Sequence, residues 1–455
     1  MKNRPTRSTF QQRLNTFVNT IRSDAQAGAL LPGTYLPSEI ELAVQYQLSK
    51  LSIRKGLKQL EQEGLIEKIP KVGTRIASLE VKERQVVKFA LHESLIHEAA
   101  IEPLIKQFEA QNPDIEIQFH PFPYQQFLDN IDYHVDNELV DIISVNYDQL
   151  QEFADTSRLS MFVQQQMDFS AYPYVQNGFI YDDQLYARPF IFSPVVLCYN
   201  ENHFDEMQLQ RPQMNWTWQD LFETACKLSN EQERYGFYFH LLSQNRWPIF
   251  LLQNGYHFDQ DQAPDEIELF LSSMTLCKDL IIGQRVSSLL IDDNDLFAEE
   301  LFKNEKASII MTTYFNLNYL LETGIPFKLA PLPSMKEPST LLLSIGLCVL
   351  NASPRREAAQ RFVEFLTSYE SQLFIRRHTM SIPTNRLAAE QAVDYSVYHP
   401  PEFHLYRDIT DSYRYYTELG INSQQLTSLR KELNYYWSGL SDNKKLLEVV
   451  RNIWA

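Results

Sequence analysis

At 455 residues the chain exceeds what one hydrophobic core ordinarily serves, and two or three packing units are expected at about 100–200 residues each. Hydrophobic residues make up 44%, a globular value that argues against long disorder, and 13 glycines are too few for an architecture built on glycine-rich phosphate loops. The net charge of −17 is uneven: the first 80 residues carry 12 Lys+Arg against 7 Asp+Glu, net +5, which leaves −22 on the rest, so only the front end suits a polyanion.

The opening MKNRPTRSTFQQRLN holds no apolar run of about 7–15 residues, so no secretion signal is expected. No stretch reaches about 18 apolar residues, so no membrane span is expected and the chain is assigned to the cytoplasm. Cys198, Cys226, Cys277 and Cys348 lie far apart without C-x-x-C spacing, and are expected as reduced, buried thiols.

In chain order, Leu14, Phe17, Val18 and Ile21 recur at i, i+3, i+4, i+7 and predict an amphipathic helix that stops at Gly28. A turn at 31–35 follows. Ser38 then caps a short second helix, with Glu41 completing a capping box, and this helix ends near Tyr46. A third helix runs from about Ser49 to Glu63. Ile53, Leu57 and Leu60 form its buried stripe, while Lys50, Arg54 and Lys58, with Lys55 alongside, form a basic one. Gly64 stops it, and 65–69 with 74–77 predict a hairpin around Pro70-Lys71-Val72-Gly73 carrying Lys68, Lys71 and Arg75. A short helix, a tight turn and a basic-faced helix make a helix-turn-helix, and the hairpin makes its wing. Such a helix enters the major groove, where Lys and Arg reach guanine edges or phosphates, while the wing lies on the sugar-phosphate backbone.

The run PGTYLPSEIELAVQYQLSKLSIRKGLKQLEQEGLIEKIPKVGTRI resembles the winged helix of GntR-family bacterial regulators over about residues 10–78. The P-S-E helix start, the S-x-x-S-x-R start of the third helix, the E-G-L-I exit and the G-T wing tip carry the likeness. The resemblance implies DNA contacts at Lys50, Ser52 and Arg54 and in the wing at Gly73 and Thr74. Ser38, Glu39, Ser49, Lys55, Lys58 and Lys71 complete the candidate set. It further implies a homodimer on a near-palindromic operator in double-stranded DNA. Ile40 and Lys50 stand where the family often has Arg, which points to an unusual operator sequence.

The charged stretch SLEVKERQ reads as a linker, dividing the chain into a winged helix at 1–78, a linker at 79–85 and an effector domain at 86–455. Within the last, 86–90 predicts a strand, Ile101, Leu104, Ile105 and Phe108 a helix, 115–119 a strand, 124–137 a helix and 140–145 a buried strand. That alternation implies a parallel α/β sheet, whose ligands sit beyond the carboxyl ends of the strands. Glu93, Asn146 and Asp148 fall in such loops and are candidate ligand contacts. Trp216 and Trp218 are assigned to packing at a helix start, 307–311 and 341–350 to strands, and 355–377 to helices.

NPDIEIQF, VDIISV, LYARPF…VLCYNENHF, NWTWQDL and KASIIMTTY, in this order over about 86–390, resemble the sugar-binding proteins of ABC importers. The resemblance implies two α/β lobes joined by a hinge and closing on a ligand. Arg246 with Trp247, and Tyr314 with Asn316, lie where those proteins place polar and stacking contacts. The 24 Tyr and 28 Phe suit a sugar, because aromatic faces cover the apolar faces of a pyranose. The resulting expectation is an α/β protein: a winged helix-turn-helix plus a two-lobed periplasmic-binding-protein-like domain, a DNA-binding regulator sensing a small molecule.

No enzyme motif competes: there is no H-E-x-x-H, no G-x-S-x-G and no metal spacing among the ten histidines, and no cofactor is expected. A pyridoxal-phosphate aminotransferase-like domain is the enzymatic alternative. Its nearest Schiff-base candidate is Lys336, in a proline-bounded loop without a small-residue phosphate cradle. A glycosidase pair of carboxylates is unmarked by sequence. A DNA-bound scaffold that has lost its ligand is the third class.

Overall fold

The computed structural model describes residues 7–26, 29–70, 72–77, 84–122, 131–230, 234–258, 264–282, 296–321 and 323–454. The chain packs as two compact units, Met1–Arg84 and Gln85–Ala455. The Gly28 stop, most of the proposed linker and the 124–130 half of a proposed helix lie outside the described residues.

In the first unit, Arg7–Gln26, Glu39–Gln45 and Lys50–Gln62 are helices. Leu14, Phe17, Val18 and Ile21 are at most 5% exposed and pack on Ile53, Leu57 and Leu60 as expected. Gly56 lets the first and third helices close up, since a Cβ there would stand 2.7 Å from the Phe17 ring. Strands β1 (Ile66–Ile69) and β2 (Gly73–Ile76) pair antiparallel. Leu36 N–H donates to the Thr74 carbonyl and Ile76 N–H to the Thr34 carbonyl, both at 2.8 Å, so residues 34–36 flank the hairpin as an extra strand.

The second unit begins with β3 (Gln85–His92), so Gln85 belongs to the sheet rather than to a linker. Strands β4 (Ile115–Phe122) and β5 (Ile142–Asn146) both pair parallel with β3. A small hairpin, β6 (Ile180–Tyr181) and β7 (Gln184–Leu185), precedes β8 (Arg188–Asn200). Then come β9 (Tyr235–Tyr238), β10 (Ala307–Thr313), β11 (Phe327–Ala330) and β12 (Thr340–Val349). The main sheet runs β4-β3-β5-β12-β8-β10-β9.

Strands β8 and β12 tie the lobes together. β8 pairs antiparallel with β12 from Arg188 to Pro194, then with β10 from Val195 to Tyr199, where β11 takes the side that β12 has left. β12 also pairs with β5 through Ile345–Val349 in continuous register, whereas its pairing with β8 shifts register between Ile345 and Gly346. From Pro189 onward β8 is buried at every residue, which is why it reads as a nearly continuous apolar run.

The first lobe packs Val87, Phe89 and Ile142 against Leu104, Phe108 and Phe362. The second packs Trp218, Phe237, Trp247 and Phe250. Its core is completed by Leu429 and Trp437 of helix Ser423–Trp437 and by Leu446 and Val450 of helix Asn443–Trp454. Asp141, fully buried, anchors the start of β5. It accepts from Lys88 N–H at 2.7 Å, the Ser353 hydroxyl at 2.6 Å and Arg355 Nε at 2.9 Å.

Candidate functional site

Two surfaces carry the candidate chemistry, one on each unit. On the first, Ser49 caps helix Lys50–Gln62 by accepting from Ser52 N–H at 3.2 Å, and the two hydroxyls are 2.6 Å apart. Ser52 is 5% exposed, so the DNA contact expected of it is corrected to a capping role inside the unit. Ser38 likewise caps its helix, with Glu41 closing the capping box. Lys50, Arg54, Lys55 and Lys58 are exposed as anticipated.

Glu39 has a specific task. It accepts from Arg54 Nε at 2.8 Å and stands 3.8 Å from Lys68 Nζ. This contact orients the Arg54 guanidinium on the exposed side of the helix. At the wing tip Gly73 has φ +155, and Tyr35 lies 3.4 Å from where a Cβ would be. Thr74 is half-buried, and Lys71 lies outside the described residues.

On the second unit, a cavity of about 870 Å³ opens between the lobes at the carboxyl ends of four strands. His92, Glu93 and Glu98 follow β3, and Asn146, Tyr147 and Asp148 follow β5. From the other lobe, His240, Ser243 and Arg246 follow β9, and Thr313, Asn316 and Tyr319 follow β10. Leu341–Ile345 of β12 form the back. A further wall, which the sequence did not disclose, comes from Tyr415 and Tyr416 and from Thr427, Arg430, Lys431 and Asn434 of helix Ser423–Trp437.

Five of the seven expected ligand residues are therefore brought together: Glu93, Asn146, Asp148, Arg246 and Asn316. Asn146 also caps helix Tyr147–Asp155 through a capping box with Gln149. Trp247 and Tyr314 are corrected. Both are fully buried and neither lines the cavity; Trp247 belongs to the core of the second lobe, and the Tyr314 hydroxyl donates to the Phe403 carbonyl at 2.9 Å. The aromatic surface of the cavity is instead Tyr147, Tyr319, Tyr415 and Tyr416, with Phe315. Tyr147 and Tyr415 stack with centroids 4.1 Å apart, and the Tyr147 and Thr417 hydroxyls are 2.6 Å apart. Trp216 and Trp218 pack around the Thr217 cap, as expected.

Burial tunes the charges here. Desolvation pushes the Glu98 carboxyl up to about 7 against a smaller opposing hydrogen bond from Ser94, and pushes Asp148 up to about 7. The Tyr147 phenol rises to about 12 by the same cause. Behind the wall, burial also raises Glu299, which accepts from Thr312 Oγ1 and from Asn316 Nδ2, the latter at 3.3 Å. Carboxyls near 7 can donate as well as accept a hydrogen bond.

Among the described residues no group of three His, Cys, Asp or Glu could hold a metal ion, and no helix is long and apolar enough to cross a membrane. Lys336 is exposed and outside the cavity, and the two-lobed architecture replaces the aminotransferase-like alternative. Cys198, Cys277 and Cys348 are buried as expected, but Cys226 is exposed.

The fold and cavity define a two-lobed solute-binding protein joined to a helix-turn-helix. Residues 103–399 match the family of bacterial extracellular solute-binding proteins, to which the chain belongs, and residues 16–76 match the bacterial regulatory proteins of the gntR family. Over 49 residues the chain is 41% identical to the uncharacterized HTH-type transcriptional regulator YieP of Escherichia coli K12. That stretch is 11% of this chain and spans only 21% of the regulator's length.

Among solved structures, the ABC substrate-binding protein Lmo0181 of Listeria monocytogenes, in complex with cycloalternan, superposes with a TM-score of 0.69. It is 18% identical, and the match covers 82% of this chain and 98% of that one. Maltose-bound T. maritima MalE3 follows at 0.66, with 16% identity over 81% and 98% of the two chains. CpMnBP1 with mannotriose bound also gives 0.66, with 14% identity over 82% and 100%. At these identities the likeness establishes the fold.

Proposed function

We propose that this protein is a sequence-specific transcription regulator that binds double-stranded DNA as a homodimer on a near-palindromic operator and senses a sugar or oligosaccharide. The division is a winged helix up to about residue 78 and an effector domain from the start of β3, with the link between them passing the ligand's effect to the DNA-binding pair. The observation that carries the reading is the cavity between the lobes. Its volume of about 870 Å³ lies within the roughly 300–1,000 Å³ of small-molecule sites.

Its chemistry supports a sugar. Tyr147, Tyr319, Tyr415 and Tyr416 offer aromatic surface, while Glu93, Glu98, Asp148, Asn316 and Asn434 offer hydroxyl partners. The similar solved structures hold cycloalternan, maltose and mannotriose. Solute capture fused to a DNA-reading fold has its simplest use as regulation, inside the cytoplasm and without catalysis.

For this to be allostery, ligand must favour one arrangement of the protein, and that arrangement must differ in DNA affinity. The first test is thermal melting of the full chain against a panel of mono- and oligosaccharides. A sugar at about 100 times its dissociation constant adds roughly 2.7 kcal/mol, a visible shift. A shift with one sugar class supports the sensor. No shift across the panel would favour a scaffold whose domain has lost its ligand or a sensor of another solute.

A further inference from the structure

The outward face of helix Lys50–Gln62 is not uniformly basic. Positions 51, 54, 55 and 58, at i, i+3, i+4 and i+7, share that face opposite the buried Ile53, Leu57 and Leu60. Three of the four are the cations Arg54, Lys55 and Lys58. The fourth is Leu51, 78% exposed and second in the helix. A leucine left in water at the head of a cationic stripe contributes nothing to the core of the unit, which is complete without it.

We infer that Leu51 is a specificity-determining contact to a thymine 5-methyl group in the major groove, an inference that rests on the DNA-binding reading above. The flanking charges select the occupant. Lys50, Arg54, Lys55 and Lys58 surround the side chain with positive charge, and Glu39 is the carboxylate that touches this stripe among the described residues, through Arg54. A polyanion fits such a face, and the first residues of a recognition helix are those that meet base edges.

A leucine can neither donate nor accept a hydrogen bond. The apolar feature that a base edge presents in the major groove is the methyl of thymine. Set against a G·C pair, the same side chain would cover the guanine O6 and N7 acceptors or the cytosine amino group without pairing them, which is costly. Leu51 thus favours T·A and disfavours G·C at one position per half-site, beside the position read by Arg54.

The test uses the full chain. Selection from random duplexes defines the half-site, and each thymidine is then replaced in turn by deoxyuridine, which removes only the methyl group. One position per half-site should lose affinity about fourfold, the value of one buried methyl-sized group. In Leu51→Ala, a change at a solvent-facing position, that loss should disappear while binding to the other base pairs and the salt dependence persist. Sequence-specific binding in which no thymine methyl matters, or a Leu51→Ala protein that keeps the methyl dependence, would overturn the inference and leave the regulator reading standing. Recovery of no preferred sequence would overturn both.

Discussion

Replacing Glu98 by Gln tests whether the cavity wall is as dry as the geometry indicates. Glu98 is 5% exposed, and desolvation lifts its carboxyl from an ordinary 4.5 to about 7. A rise of that size corresponds to about 3 kcal/mol of preference for the protonated form in the folded state. The folded protein therefore binds this proton more tightly than the unfolded chain. Its contribution to stability is fully present below the unfolded value and declines as pH rises from about 4.5 to about 7.

Glu98→Gln keeps the size and polarity of the side chain and removes the titration. Urea denaturation of both proteins from pH 4.5 to pH 8, followed through the transition of the larger unit, gives the difference directly. The variant should gain on the parent protein steadily across that range, by up to about 3 kcal/mol at pH 8. A stability difference that is the same at pH 5 and pH 8 would refute the claim that the carboxyl is desolvated.

Three further expectations concern single side chains. Arg54→Ala should weaken operator binding by roughly 1–3 kcal/mol and leave sugar binding unchanged, measured by fluorescence anisotropy and calorimetry; equal operator affinity would displace the recognition face from helix Lys50–Gln62. Trp247→Ala should destabilise the larger unit by roughly 3–5 kcal/mol in denaturant, because it empties a fully buried site, whereas a selective loss of ligand affinity at parent stability would return Trp247 to the binding surface. Asp141→Ala removes the acceptor of the Lys88 N–H, the Ser353 hydroxyl and Arg355 Nε and should cost roughly 3–5 kcal/mol, and a cost below about 1 kcal/mol would mean that the buried network carries little of the stability.

Much of the smaller unit was legible because its signals are local. The i, i+3, i+4, i+7 spacing from Leu14 to Ile21, the Ser38–Glu41 capping box and the basic stripe each span a few residues, and the structure realises them. The inward turn of Ser52 was not legible, since a serine three residues after Ser49 serves equally as a cap partner or a contact. In the larger unit, the loops after β3 and β5 were found from the rule that ligands sit beyond strand ends, and Glu93, Asn146 and Asp148 do line the cavity.

The aromatics failed for a physical reason. Trp247 and Tyr314 sit next in sequence to Arg246 and close to Asn316, which line the cavity, yet both rings turn into the core. Alternation of facing within two residues is decided by tertiary packing, which composition does not carry. The wall from Tyr415 to Asn434 was invisible because it follows β12 by more than sixty residues and reaches the cavity only through packing of Leu426, Leu429 and Leu433 on the second lobe. Tandem tyrosines such as Tyr415-Tyr416 are the one sequence signal there, and they mark core packing as readily as a binding surface.

If the protein is a sensor, ligand in the cavity changes operator affinity. The direct measurement is titration of the 455-residue chain onto its selected operator, at fixed salt, with and without a saturating concentration of the sugar that raises its melting temperature. The dissociation constant should move by about 5–150-fold, the range of a coupling free energy of about 1–3 kcal/mol. Identical operator affinity in the presence and absence of a sugar that demonstrably binds would contradict it.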